Sequence, residues 1–309
     1  MVSHPPVDNQ ELYRQMLRIR RFEEKVLDSY SRGIFYGTTH TYIGQEADAV
    51  GVLTCLNEGD IVVSNHRCHG HFLAYGGSMH TLAAELMGRE TGVTGGRGGS
   101  QHVMWKDFYA SGILGGTIPL AVGMAYAEKA HRRGRIVFAF LGDGTLGEGV
   151  VYESLNMASL WRLPVLFILE NNRYAQTTSI QINLAGGIAE RFNAFAIPTD
   201  EADTVDVLEI NSIARFAVAS VRAGEGPRAL VLHTYRYAPH SKGDDTRDPQ
   251  EVIRYRKRDP LPFHAKRLTS DFRRQIDSEV EAEVNEAFRQ AQADPLADPG
   301  TLTPPVDIS

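Results

Sequence analysis

Apolar residues recur at helical spacing through Leu12, Met16, Ile19, Val26 and Tyr30, and the run stops at Gly33. Asp8 with Glu11 three residues on has the form of a capping box, so the pattern predicts a helix opening at Asp8. A second helix is predicted over residues 45–56, ended by Gly59, then a short strand at 61–63 and a helix over 81–87. Glycines at 92, 95, 96, 98 and 99 crowd the next segment, which resists regular structure and lets other groups approach the backbone closely. Small residues over 117–133 predict a helix that tolerates Pro119 in its first turn. Two unbroken apolar runs follow, 136–141 and 165–169, with a helical stretch over 148–161 between them. Runs of this kind read as neighbouring buried parallel strands in a βαβ unit, whose crossover should be right-handed. Another helix is predicted over 207–223, closed by Gly224, then a strand over 229–235 and a polar loop over 238–249. The remainder to about residue 293 is polar and helical, with a proline-rich tail expected to fray. The expected fold class is therefore α/β, as one domain over residues 1–309 with a polar helical C-terminal extension from about residue 250.

Composition narrows this picture without redirecting it. A hydrophobic content of 42%, a charged content of 23% and a net charge of −6 are those of an ordinary globular chain, and they speak against a nucleic-acid groove or an anionic membrane as partner. The basic run over 254–258 lies in a polar helical stretch and reads as a solvated face. Two cysteines, Cys55 and Cys68, make no disulfide framework and suit a reducing cytoplasm. No basic-then-apolar leader opens the chain, and no apolar run reaches the ~18 residues of a membrane span. A cytoplasmic location is the expectation.

The chemistry concentrates at the ends of the two apolar runs. The first leads into Leu141-Gly142-Asp143-Gly144-Thr145 and the second into Glu170-Asn171-Asn172-Arg173-Tyr174. Adjacent strands would deliver Asp143 and Asn172 to one rim. A hard cation such as Mg²⁺ takes carboxylate, amide, carbonyl and phosphate oxygens, and the glycines would let a diphosphate come close. A metal-diphosphate site is the reading this supports. The same loop, Gly142-Asp143-Gly144-Thr145-Leu146-Gly147, also fits G-x-G-x-x-G, with Glu170 ending the next strand as the acid of a dinucleotide-binding fingerprint. Asp143 beside a pyrophosphate and the Asn171-Asn172 pair have no role in that motif, and with a metal both become ligands.

The surrounding motifs are more specific. Arg21-Phe22-Glu23-Glu24, Gly44-Gln45-Glu46-Ala47, His66-Arg67-Cys68-His69-Gly70, Gly98-Gly99-Ser100-Gln101-His102, the two strand-end motifs, and Thr234-Tyr235-Arg236-Tyr237 with His240-Ser241 beyond occur in this order. Together, over about residues 10 to 265, the chain resembles the alpha subunits of thiamine diphosphate-dependent 2-oxo acid dehydrogenases, a family that includes acetoin dehydrogenases. The resemblance implies a thiamine diphosphate-binding fold, a central mostly parallel sheet with helices on both faces. It implies Mg²⁺ held by Asp143, Asn172 and the Tyr174 carbonyl. It implies cofactor contacts from Arg67, Gly112, Leu114, Gly142, Asp143, Gly144, Thr145 and Asn172, the diphosphate meeting backbone amides where a helix starts. His40 and His240, with His66 beside the diphosphate arginine, match active-site positions. The resemblance further implies a beta chain supplying the glutamate that activates the cofactor, in an assembly of two alpha and two beta chains, and a lipoyl-bearing acyltransferase or other acyl carrier as acceptor. The substrate would be a small 2-oxo acid or acetoin.

Departures from the family pattern bear on substrate. His66 stands where many pyruvate-using relatives have tyrosine, and Ala238-Pro239-His240-Ser241 replaces a segment with a further histidine. Gln176 follows at a position from which a polar group would reach substrate. His66, His69 and His71 with Cys68 superficially resemble transition-metal ligands, but no second cluster accompanies them. His4 and His131 read as surface residues, and His102 as either pocket lining or a turn cap. Ser241 aligns with a site phosphorylated in mitochondrial relatives. The competing functions are a nicotinamide-dependent dehydrogenase using the G-x-G-x-x-G loop, a split transketolase-like subunit, and a non-catalytic cofactor-holding partner.

Overall fold

A computed structural model describes residues 8–35, 37–241 and 243–301. The expectations for His4 and for the tail beyond residue 301 fall outside them. The first helix, α1 (Asn9–Ser31), opens where the capping box places it, with the Asp8 carboxylate accepting from the Gln10 amide. It is followed by α2 (Glu46–Leu53), β1 (Ile61–Ser64), α3 (Cys68–Ala74), α4 (Met79–Leu86), β2 (Met104–Trp105) and β3 (Phe108–Ala110). The βαβ unit appears as β4 (Val137–Gly142), α6 (Gly149–Leu160) and β5 (Val165–Asn171), preceded by α5 (Thr117–His131). A small hairpin, β6 (Tyr174–Ala175) and β7 (Thr178–Ser179), leads to α7 (Ile180–Asn183), α8 (Ile188–Asn193), β8 (Thr199–Ala202), α9 (Val207–Arg222) and β9 (Arg228–His233). The chain ends in α10 (Pro249–Arg256), α11 (Pro260–Ala265) and α12 (Ser270–Ala293).

The main sheet has seven strands in the order β2-β3-β1-β4-β5-β9-β8. All pairs are parallel except the edge pair β2–β3. Its central strands, β1, β4, β5 and β9, are apolar on both faces, as parallel strands covered on both sides must be. Val62, Phe138, Phe140, Leu166, Ile168, Leu230 and Leu232 enter one core, with α1, α2, α4, α9 and α12. The residues between them, Val63, Val137, Ala139, Leu141, Val165, Phe167, Leu169 and Val231, enter the other, with α5, α6 and α8. This is the expected α/β architecture, with helices on both faces and a helical C-terminus.

One expectation changes in detail, and two elements that the sequence pattern did not predict, α3 and β8, are present. Residues 143–147 are a 3₁₀ turn, and α6 begins only at Gly149, because Glu148 is extended (φ −91°, ψ 123°) and interrupts the helix. Helix α3 gives no periodic apolar signal, since histidines and a glycine fill it. Strand β8 is polar because it lies at the sheet edge.

The order of strands has one consequence for ligands. From β1 the chain builds outward to β3 and β2 on one side and to β4, β5 and β9 on the other. The carboxyl ends of β1 and β4 therefore flank a topological switch point, where open parallel sheets leave a crevice.

Candidate active site

A cavity of about 350 Å³ occupies that crevice. After β1 the chain supplies Asn65, His66 and Arg67, and after β3 it supplies Gly112 and Leu114. From β4 come Gly142, Asp143, Gly144 and Thr145, and from β5 and its hairpin come Asn172 and Tyr174. His40 and His240 enter from loops. Every site residue expected from the sequence thus lines one cavity. Gly142 and Glu170 face each other across β4 and β5, so Asp143 and Asn172 leave the sheet at the same level, as the two apolar runs require.

The oxygen-rich end is built around Asp143, which is 2% exposed and whose Oδ2 has no hydrogen-bond partner. Burial pushes its carboxyl up to about 6, and Arg236 and Arg67 counteract only part of that. A buried carboxylate oxygen left bare is costly, which is the condition a cation relieves. The Asn172 amide donates to Gln45 Oε1 (3.4 Å), while its Oδ1 accepts from the Tyr174 amide (3.3 Å). The Tyr174 hydroxyl donates to Glu251 on α10 (2.8 Å). Gly144 is required by a close approach: a Cβ there would lie 2.8 Å from that of Ala175. Gly142 has nothing within 4 Å of where its Cβ would be, so its face toward the cavity is open. A carboxylate, an amide, backbone groups and glycines suit a hard cation and a diphosphate together.

Arg67 is 3% exposed and caps the start of α3. Its Nη1 donates to the Thr41 carbonyl (2.8 Å) and its Nη2 to His240 Nδ1 (3.0 Å), while Nε is unpaired. Burial, with Arg236 nearby, lowers it to about 9, so it keeps its charge at neutral pH. Arg236 is almost wholly buried, donates to the Gln176 carbonyl and has unpaired Nε and Nη1.

Three imidazoles gather at the other end. The ring centroids of His40 lie 4.8 Å from His66 and 4.4 Å from His240. Burial lowers all three pKa values, His240 to about 3 and His66 well below its ordinary value, with Arg67 adding to the effect on each. They are neutral at physiological pH, so the tautomers of His40 and His240 follow from their hydrogen-bond neighbours. His40 Nδ1 faces the His240 carbonyl at 2.7 Å and must donate, which leaves Nε2 a bare acceptor. His240 Nδ1 faces a guanidinium and must accept, which puts the proton on Nε2. The ligand-capable atoms of the three rings lie within 4.8 Å of one another. Arg67 already occupies His240 Nδ1 and, with Arg236, adds positive charge, so the cluster suits polar or anionic substrate atoms better than a cation.

The two histidines of α3 do something else. His69 joins Glu23 (3.1 Å) and Ser100 (3.0 Å), and His71 joins Ser64 (2.8 Å) and Glu170 (3.0 Å). Tyr42 closes the ring, its amide donating to Glu23 (2.8 Å) and its hydroxyl to Glu170. Cys68 donates weakly to the Ser100 carbonyl. The apparent His-Cys metal motif is therefore a buried brace holding α3 and the segment around His40. Glu170 is 2% exposed and committed to that brace, so the acid a dinucleotide loop needs for a ribose is not available.

Comparison with known proteins agrees with this geometry. The family model described as Dehydrogenase E1 component matches residues 14–300. The chain belongs to that family. It is 42% identical over 308 residues to the pyruvate dehydrogenase E1 component subunit alpha of Rhizobium meliloti, covering 96% of this chain and 88% of the relative. The protein of that name from Zymomonas mobilis is 42% identical over 299 residues, covering 93% and 84%. The somatic mitochondrial form from Homo sapiens is 36% identical over 300 residues, covering 93% and 76%. The chain is thus an E1 alpha subunit of the thiamine diphosphate-dependent 2-oxo acid dehydrogenase type, as its ordered motifs imply.

The E1 cavity also contains residues that sequence reasoning passed over: Asn65, Gln101, Glu148 and Ala175. Asn65 directly precedes the His66-Arg67 motif at the end of β1, a position that could have revealed it. Gln101 packs against Gly112, where a Cβ would meet its Oε1 at 2.1 Å. Glu148 is exposed at the mouth beside Gly115. Gln176, expected to reach substrate, lines the cavity with φ +59°, and Arg173 before it has φ +73°. Non-glycine residues held in this region carry strain that the hairpin must maintain.

Proposed function

We propose that this chain is the alpha half of a 2-oxo acid dehydrogenase whose site binds thiamine diphosphate through Mg²⁺. The bare, buried Oδ2 of Asp143 carries this reading. Asp143, the Asn172 amide oxygen and the Tyr174 carbonyl would hold the metal, and the amides of Gly144 and Thr145 with the Arg67 guanidinium would hold the diphosphate. Gly112 and Leu114 would face the aminopyrimidine. When bound, thiamine diphosphate supplies the carbon nucleophile and electron sink for loss of CO₂ from a 2-oxo acid. The chain's own contribution is position and proton placement. His240 offers an N–H to a substrate oxygen, His40 offers a lone pair that can take a proton, and burial keeps both neutral until they act. Pyruvate is the first substrate class on this reading, since the named relatives are pyruvate dehydrogenase subunits. A hydroxyketone such as acetoin is the second, favoured by one observation: a fixed donor beside a fixed acceptor suits a carbonyl next to a hydroxyl.

The carboxylates lining the cavity are Asp143 and Glu148. The first is committed to metal and the second is exposed beside Gly115, in the segment that carries Leu114 and the 70% exposed Ile113. The glutamate that activates the cofactor is therefore assigned to a beta chain covering that segment, in a two-alpha, two-beta assembly, and the acyl group to a lipoyl-bearing acyltransferase. A cytoplasmic enzyme suits the free thiols Cys55 and Cys68. The test is decarboxylation of 2-oxo acids by the chain with and without its beta partner, read with a dye acceptor. Activity should appear only in the complex; turnover by the alpha chain alone would refute the division of the site.

A further inference from the structure

His66 has both ring nitrogens buried and unpaired, the only described histidine in that condition. Its ring lines the cavity, edge-on to His40 and 5.5 Å from His240. A neutral imidazole carries one donor and one acceptor, and with both already out of water and unpaired, a ligand group that reaches the ring and satisfies them gains binding energy. The oxygens of an unsubstituted 2-oxo acid only accept. His240 Nε2–H already offers a donor to them, whereas the lone pairs on His40 Nε2 and His66 call for a donor from the ligand. Around these rings the lining is polar: Asn65, Gln101 and Gln176 reach the cavity, and Leu114 and Ala175 are its only aliphatic side chains. Little there can cover a branched hydrocarbon tail.

We propose that His66 is a specificity-determining residue that hydrogen-bonds a hydroxyl on the third carbon of a short 2-oxo acid, and that the site favours such acids over aliphatic ones of similar size. This rests on the 2-oxo acid reading above. The hydroxyl both donates and accepts, so it meets the inventory that His40, His66 and His240 present. An apolar substituent at the same place leaves His66 without a partner.

The experiment uses the reconstituted alpha–beta complex and compares kcat/KM for hydroxypyruvate, pyruvate and 3-methyl-2-oxobutanoate in wild type, His66→Phe and His66→Gln. Wild type should favour the hydroxylated acid over the branched one. His66→Phe should shift that ratio toward the branched acid by about tenfold, the worth of a hydrogen bond and its unpaired partner, and His66→Gln, which keeps a donor and an acceptor, should restore most of it. Retained thiamine diphosphate binding in both variants separates this effect from misfolding. A ratio that does not move in His66→Phe, with turnover intact, overturns the assignment of His66 alone. A wild-type complex that turns over none of the three acids overturns the 2-oxo acid reading and the assignment with it.

Discussion

Asp48 shows how far a single residue can depart from what its neighbours in sequence suggest. It lies in the first turn of α2, 2% exposed, with Oδ2 unpaired. Burial, reinforced by Glu170 and Glu46 and opposed by a hydrogen bond from Thr234, pushes its carboxyl well above the ordinary range. A carboxyl whose folded pKa is raised holds its proton after the unfolded chain has lost it. Its contribution is fully present below the unfolded value of about 3.9 and is lost as pH rises through the folded one. Asp48→Asn should therefore raise the melting temperature, and its margin over wild type should widen from about pH 4 toward neutrality; a margin constant across that range would show that Asp48 ionises normally. The site residues were legible where the chemistry demands one residue type at one place: Asp143, Asn172 and Arg67 have few substitutes. His69 and His71 were not, because a histidine braced by a carboxylate and one ready to bind a ligand look alike until the carboxylate, Glu23 or Glu170, is placed in space.

At the scale of elements, strands were easier to read than the pieces between them. The runs that became β4 and β5 are apolar because both faces of the sheet are covered, and that pattern survives without tertiary knowledge. Helix α3 is shaped by the close approach of another segment. A Cβ at Gly70 would lie 2.2 Å from Cδ1 of Tyr42, the residue whose amide and hydroxyl join Glu23 and Glu170. Gly70→Ala should cost about 1–3 kcal/mol by overpacking, measured by chemical denaturation. It should also weaken diphosphate binding, since Arg67 caps this helix. Wild-type stability in that variant would mean that Tyr42 moves aside freely and that the brace does not fix α3.

For the whole molecule, the position of the cavity follows from topology. A sheet that grows both ways from β1 leaves its crevice between β1 and β4, and the chain places Arg67 on one side of it and Asp143 on the other. The motifs named the candidate ligands, but only the folded chain brings residues as distant in sequence as His40 and His240 together there. The local likeness to a dinucleotide loop ends at the same scale, because Glu170 is drawn into the core. The claim on which everything else depends is that Asp143 and Asn172 bind thiamine diphosphate through a metal. Calorimetric titration of thiamine diphosphate into the alpha–beta complex, with Mg²⁺ and then with excess chelator, in wild type and Asp143→Ala, tests it most directly. Saturable binding should appear only in wild type with Mg²⁺; undiminished affinity in Asp143→Ala or in the presence of chelator would contradict it.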